Sequence, residues 1–245
     1  MIQVTKLEKQ YQGKTVLAGL DMCVMPGEFV VLQGANGAGK TTLIRILSTL
    51  TRPSAGDFTI GGASGLRDPE GVRSQIGVML HQPMIYGDLS AVENLRFFAD
   101  LSGKRDFRMR ILAGLEQVGL NPDNQKPVRH YSRGMQQRLS IARALLSDPA
   151  YLLLDEPFTG LDTANQARLM DLLKDLQSKG RALLVTDHDP ARVAQMATRV
   201  DYLYHGRIEQ TFSGSELEAN YLGARIAAIE GGTANDGVMQ EMAER

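Results

Sequence analysis

Residues 34–41 read GANGAGKT, directly after the apolar run Phe29-Val30-Val31-Leu32. Glycine at Gly34, Gly37 and Gly39 makes this stretch a poor helix and a poor strand. Its flanks are the opposite. Residues 28–33 read as a strand, and Thr41-Thr42-Leu43-Ile44-Arg45-Ile46-Leu47 as a helix, with Leu43, Ile44, Leu47 and Leu50 on one stripe. Pro53 lies beyond the expected helix end. A glycine-rich turn from strand to helix points several backbone N–H groups inward, and the helix N-terminus adds a partial positive charge. The stretch fits the pattern G-x-x-x-x-G-K-[ST]. Gly34, Asn36, Gly37, Ala38 and Gly39 are therefore expected to cradle a polyphosphate, with Thr42 continuing the cradle into the helix. Lys40 is expected to reach the β- and γ-phosphates, and the Thr41 hydroxyl to bind Mg2+.

Such a site needs a carboxylate for the metal. Tyr151-Leu152-Leu153-Leu154-Asp155-Glu156 supplies it: a short apolar run, as in a fully buried parallel strand, ending in two acids. Ligands of open α/β sheets bind at the carboxyl ends of the strands, where these acids fall. Asp155 is expected to hold Mg2+ through water, and Glu156 to polarise an attacking water.

The chain has 245 residues, 43% hydrophobic and 22% charged, with a net charge of −1. That size suits one large domain, and the charge gives no electrostatic case for nucleic acid as a partner. Cys23 is the sole cysteine, which excludes an internal disulfide framework and fits a reducing compartment. The opening MIQVTKLEKQ has no apolar signal-peptide region, and no apolar run approaches the ~20 residues of a membrane span. A soluble chain is expected. No histidine/cysteine cluster has metal-ligand spacing, and His81, His130 and His205 read as structural. From Gly214 the pattern weakens: a short helix is expected around 215–229, with a loose tail beyond.

A third element sets the class. Residues 131–137 read YSRGMQQ and run into Arg138-Leu139-Ser140-Ile141-Ala142-Arg143-Ala144-Leu145-Leu146. This resembles the signature motif of ABC-type ATPases, usually LSGGQ followed by QRxxxARAL. Once that resemblance is seen, other positions match the family. Tyr11 matches the aromatic residue that stacks on adenine. Gln82 matches the glutamine that touches metal and attacking water. Thr159-Gly160-Leu161-Asp162 matches the D-loop, and His188 the switch histidine at the γ-phosphate. Ser132, Gly134, Gln136 and Asp162 carry over as nucleotide-binding positions. The resemblance implies an α/β fold: a P-loop NTPase with a RecA-like core, an antiparallel β-subdomain and an inserted helical subdomain. The ATPase domain is expected over 1–212, its helical insertion over about 83–149, and a short, partly flexible extension over 213–245. Parallel strands are expected near 28–33, 75–80, 151–154 and 181–186. Gly13 and Gly19 read as breaks in the antiparallel part. Two helical stripes stand out: Ile111, Leu112, Leu115 and Val118 ending at Gly119, and Leu169, Leu172, Leu173 and Leu176 closed by Gly180.

Tyr131 and Arg133 depart from the family pattern, at the leucine and the first glycine. Arg133 is expected either to add positive charge near the phosphate or to point to solvent. In this family the signature serine and glycine bind ATP held on the opposite subunit. The resemblance thus implies an ATP hydrolase that closes head-to-tail around two Mg·ATP, as a homodimer or with a related subunit. It further implies a cytoplasmic chain at the inner face of the membrane, driving an integral membrane permease. Met84, Ile85, Tyr86 and Leu89 fall where such ATPases receive a helix of the permease. The signature run looks like that of bacterial exporters, and most like the haem-exporter subunit of cytochrome c maturation. The other readings are a drug, lipid or polysaccharide exporter, or a soluble ATPase of the superfamily such as an Fe–S assembly subunit.

Overall fold

A computed structural model describes residues 1–101 and 107–231. The chain opens with a hairpin, β1 (Ile2–Tyr11) and β2 (Lys14–Val24). Its two-residue turn places Gln12 and Gly13 at φ of 47° and 81°, the geometry that matches strand twist in tight hairpins. β3 (Phe29–Gln33) leads into the glycine loop and α1 (Lys40–Leu47). β4 (Ala55–Ile60), β5 (Ala63–Ser64), α2 (Pro69–Arg73) and β6 (Ile76–Met79) follow. The chain then turns helical, with α3 (Ala91–Leu101), α4 (Arg108–Gln117) and α5 (Arg133–Leu145). β7 (Tyr151–Asp155), α6 (Thr163–Ser178), β8 (Ala182–Thr186) and α7 (Pro190–Met196) return to α/β alternation. A second hairpin, β9 (Arg199–Tyr204) and β10 (Arg207–Ser213), precedes α8 (Ala219–Glu230).

Two sheets result. One is antiparallel, in the order β2-β1-β4-β5; the other runs β10-β9-β3-β8-β7-β6. In the second, β6, β7, β8, β3 and β9 are parallel and β10 is antiparallel. Every residue of β3, β7 and β8 is buried, which explains their unbroken apolar runs. Alternate side chains serve two cores. Val30, Leu32, Leu153 and Leu184 pack with α1 and the first hairpin. Phe29, Val31, Leu152, Leu154, Leu183 and Val185 pack with the helices from α3 to α8. Each such fully buried chain contributes about 1.5–3 kcal/mol.

The expected parallel strands and both helical stripes are present. Gly119 and Gly180, at φ of 72° and 84°, follow the last turns of α4 and α6. Three local expectations change. Leu50 does not extend the α1 stripe; it lies past the helix end and is exposed. Gly19 is not a break but a residue of positive φ inside β2, where the register with β1 shifts. The helix expected over 215–229 is α8, entered through a short 3-10 turn at Gly214–Leu217. The loose tail expected after it falls on 232–245, outside the described residues. Among the described residues no helix is long and apolar enough to cross a membrane.

Candidate functional site

The carboxyl ends of β3, β8 and β7 lie side by side. Leu32 and Asp155 both pair in register with Thr186, the last residue of β8. The glycine loop, Thr186 and the two acids therefore emerge at one edge. Backbone crowding fixes the loop. Gly34 has φ 149°, and a Cβ there would sit 2.3 Å from the Leu203 carbonyl oxygen. Gly39 caps α1 at φ 115°, and its Cβ would meet Leu17 at 2.9 Å. The β1–β2 hairpin that carries Tyr11 thus packs against the loop. Tyr11 itself stays 43% exposed, with the Lys9 ammonium over its ring. Asn36 and Gly37 form the exposed tip, Ala38 turns back through its N–H to Ala35, and Thr42 begins the helix half-buried.

Lys40 turns its ammonium into the loop and donates to the carbonyls of Gly34 and Ala35. Burial lowers its pKa, opposed by the nearby charges of Glu156, Asp155 and Glu230. The Thr41 hydroxyl donates to Asp155 Oδ2 at 2.8 Å, joining the helix start to the end of β7. Asp155 is buried, and its other oxygen accepts from the Thr186 hydroxyl at 2.7 Å. The pair Thr41 and Asp155 offers only oxygen donors, the set Mg2+ prefers beside phosphate.

Glu156 follows at φ 52°, a left-handed conformation uncommon for a side-chain-bearing residue. Its N–H donates to Thr186 Oγ1 at 2.8 Å. Its carbonyl accepts from Gln137 Nε2 at 3.0 Å, and the same amide bonds to Pro157. Thr159 Oγ1 lies 3.3 Å from Glu156 Oε2 as donor. His81 Nδ1 stands 3.5 Å from that same oxygen. The sequence reading placed His81 among structural histidines; in the structure its ring stands beside the Glu156 carboxylate. Gln82, next to it, is exposed.

His188 is exposed between two engaged acids. Asp187 is buried and takes two bonds from Arg192, at 2.6 and 2.9 Å. Asp189 caps α7 by accepting from Ala191 and Arg192. Arg192 also lies over the Phe158 ring and donates to Gln166 on α6. The switch-histidine loop is thus tied to the D-loop and its helix.

The signature residues stand elsewhere. Ser132 is exposed and caps α5 by accepting from Met135 N–H. Gly134 abuts the D-loop, where a Cβ would sit 2.9 Å from the Gly160 oxygen. Gln136 turns inward and donates to the carbonyls of Val128 and Tyr131. Asp162 caps α6, and the hydrogen bonds from Asn165 hold its pKa down. Tyr131 joins the core. Arg133 lays its stem over Gly160, with Cγ 3.1 Å from where a Cβ there would lie. Thr186, Gln137 and His81 were not among the expected site residues. Only His81, adjacent to Gln82, had a positional signal.

A family model described as ABC transporter matches residues 17–159. The daunorubicin resistance ATP-binding protein DrrA3 of Streptomyces coeruleorubidus is 37% identical over 230 residues, covering 93% of this chain and 73% of that protein. The lantibiotic transport ATP-binding protein SrtF of Streptococcus pyogenes is 33% identical, covering 88% of this chain and 93% of that one. Among solved structures, the dimeric, post-hydrolysis ATP-binding cassette MJ0796 bound to ADP and Pi superposes with a TM-score of 0.80. It is 27% identical, over 87% of this chain and 98% of that one.

Proposed function

Because this chain belongs to the ABC transporter family, we propose that it is the ATP-hydrolysing subunit of a bacterial exporter. The observation that carries the reading is the Thr41–Asp155 hydrogen bond of 2.8 Å, which brings the phosphate cradle to the acids of β7. Lys40 contacts the β- and γ-phosphates of ATP, and the adenine stacks on Tyr11. Thr41, Asp155 and Gln82 would hold Mg2+, which would supply positive charge against the phosphates. Glu156 orients the attacking water, and His188 meets the γ-phosphate.

Ser132 caps α5 and Gly134 lies in its first turn, against the D-loop. They are the half-site for ATP on a second copy or a related subunit, with Gln136 bracing their loop and Asp162 the D-loop. ATP favours closure through contacts made only in the closed dimer. The ATPase unit spans 1–212, and an extension that includes α8 runs over 213–245. The exposed Met84 and Tyr86 form the seat for a helix of an integral membrane permease, placing the chain at the cytoplasmic face of the membrane. Relatives named for daunorubicin resistance and lantibiotic transport favour export of a drug or lantibiotic-type compound. The haem reading rests on the likeness of residues 131–146 and 152–162 alone.

The test uses a tagged Glu156→Gln variant, solubilised from its own membranes in mild detergent with Mg·ATP and captured by its tag. A multi-span membrane protein without a phosphate loop of its own is the expected companion. By light scattering the same variant is expected to bind ATP, stall, and accumulate as a dimer. A monomer with Mg·ATP, or a soluble dimer without a membrane companion, contradicts the reading.

A further inference from the structure

Glu156 is held unevenly. Its main chain is locked on both sides, by Thr186 at the N–H and Gln137 at the carbonyl. Its carboxylate reaches beyond that lock through three rotatable bonds. The groups at its Oε2 are Thr159 Oγ1 at 3.3 Å and His81 Nδ1 at 3.5 Å. Thr159 belongs to the turn that follows Glu156 itself. His81 arrives from a different strand: β6, the edge neighbour of β7, ends at Met79 two residues before it.

We propose that His81 is a positioning residue for Glu156. With its proton on Nδ1, the ring stands at ion-pair distance from Oε2 and favours the carboxylate rotamer that leaves Oε1 for the attacking water. The inference rests on the reading of Glu156 as the water-orienting group. The role needs a proton on Nδ1, carried by the imidazolium or by the neutral Nδ1–H tautomer. Catalytic hydrogen bonds are often long without substrate and tighten when it binds, which accommodates the 3.5 Å separation. His81 also stands three residues before Met84, the first exposed residue of the proposed permease seat.

The test is steady-state ATP hydrolysis by the full chain, comparing wild type with His81→Ala, His81→Asn and Glu156→Gln. The asparagine places an amide donor where Nδ1 stands. His81→Ala is expected to lower kcat roughly 10- to 100-fold, the scale of a misplaced catalytic group, with KM for ATP and the melting temperature unchanged. The side chain is 52% exposed, so its loss leaves folding intact. His81→Asn is expected to restore most of kcat. Wild-type kcat in His81→Ala, equal impairment of the alanine and asparagine variants, or a fall in kcat that tracks a fall in melting temperature overturns the proposal. Wild-type turnover in Glu156→Gln instead overturns the assignment of Glu156, whatever the His81 variants do.

Discussion

Thr186 shows how much one hydroxyl organises. It is fully buried, donates to Asp155 and accepts from the N–H of Glu156. Thr186→Val keeps the shape and removes both bonds, leaving a buried carboxylate oxygen and a backbone N–H with one partner fewer. We expect a loss of about 1–3 kcal/mol per unsatisfied group in denaturant unfolding, together with a lower kcat in an ATPase assay. The sequence did not announce this role. A threonine at a strand end is ordinary, and only the Asp155–Thr186 register makes it the hinge of two acids. Gln137 was hidden for a similar reason: its place on α5 is local, but its partners Glu156 and Pro157 are 19 and 20 residues away. By contrast, Gly34, Lys40, Thr41 and Asp155 were legible because their chemistry is bound to spacing within one strand–loop–helix or one strand end.

Among the elements, α7 is held by a buried ion pair. The Asp187 and Arg192 side chains are 3% and 13% exposed. Arg192→Met strands a buried carboxylate and is expected to cost about 3–5 kcal/mol by chemical denaturation. Because the pair frames His188, kcat is expected to fall as well. The double variant Asp187→Asn with Arg192→Met removes the charge left behind and is expected to recover much of the stability, though not the bridge to Gln166. The buried strands β3, β7 and β8 were legible from their apolar runs, and α4 and α6 from their stripes and closing glycines. The hairpin β9–β10 was not. Its β9, RVDYLY, buries Asp201, which no apolar pattern signals. That acid is tolerated because Arg199 and the Thr211 hydroxyl both reach it. β4 and β5 were missed because Gly56 interrupts β4 and β5 has two residues; pairing of β4 with β1, and of β5 with β4, is what makes them strands.

For the whole molecule, the decisive feature is that the signature turn and the cradle belong to different helices and contact different loops. Ser132 and Gly134 open α5 beside the D-loop, while Lys40 and Thr41 open α1 after β3. Ser132→Arg is therefore expected to leave ATP binding by the monomer nearly intact in a titration, while abolishing turnover. The lost cap on α5 adds a stability cost of about 1 kcal/mol. Loss of binding by the monomer contradicts this placement. At this scale the sequence reading rested on resemblance: no periodicity tells one chain that half of its site belongs to another.

Lys40 has one further consequence. Its ammonium is already satisfied by the carbonyls of Gly34 and Ala35, the loop's own backbone. Any phosphate oxygen drawn to this cation therefore competes with backbone oxygens that the ammonium already faces.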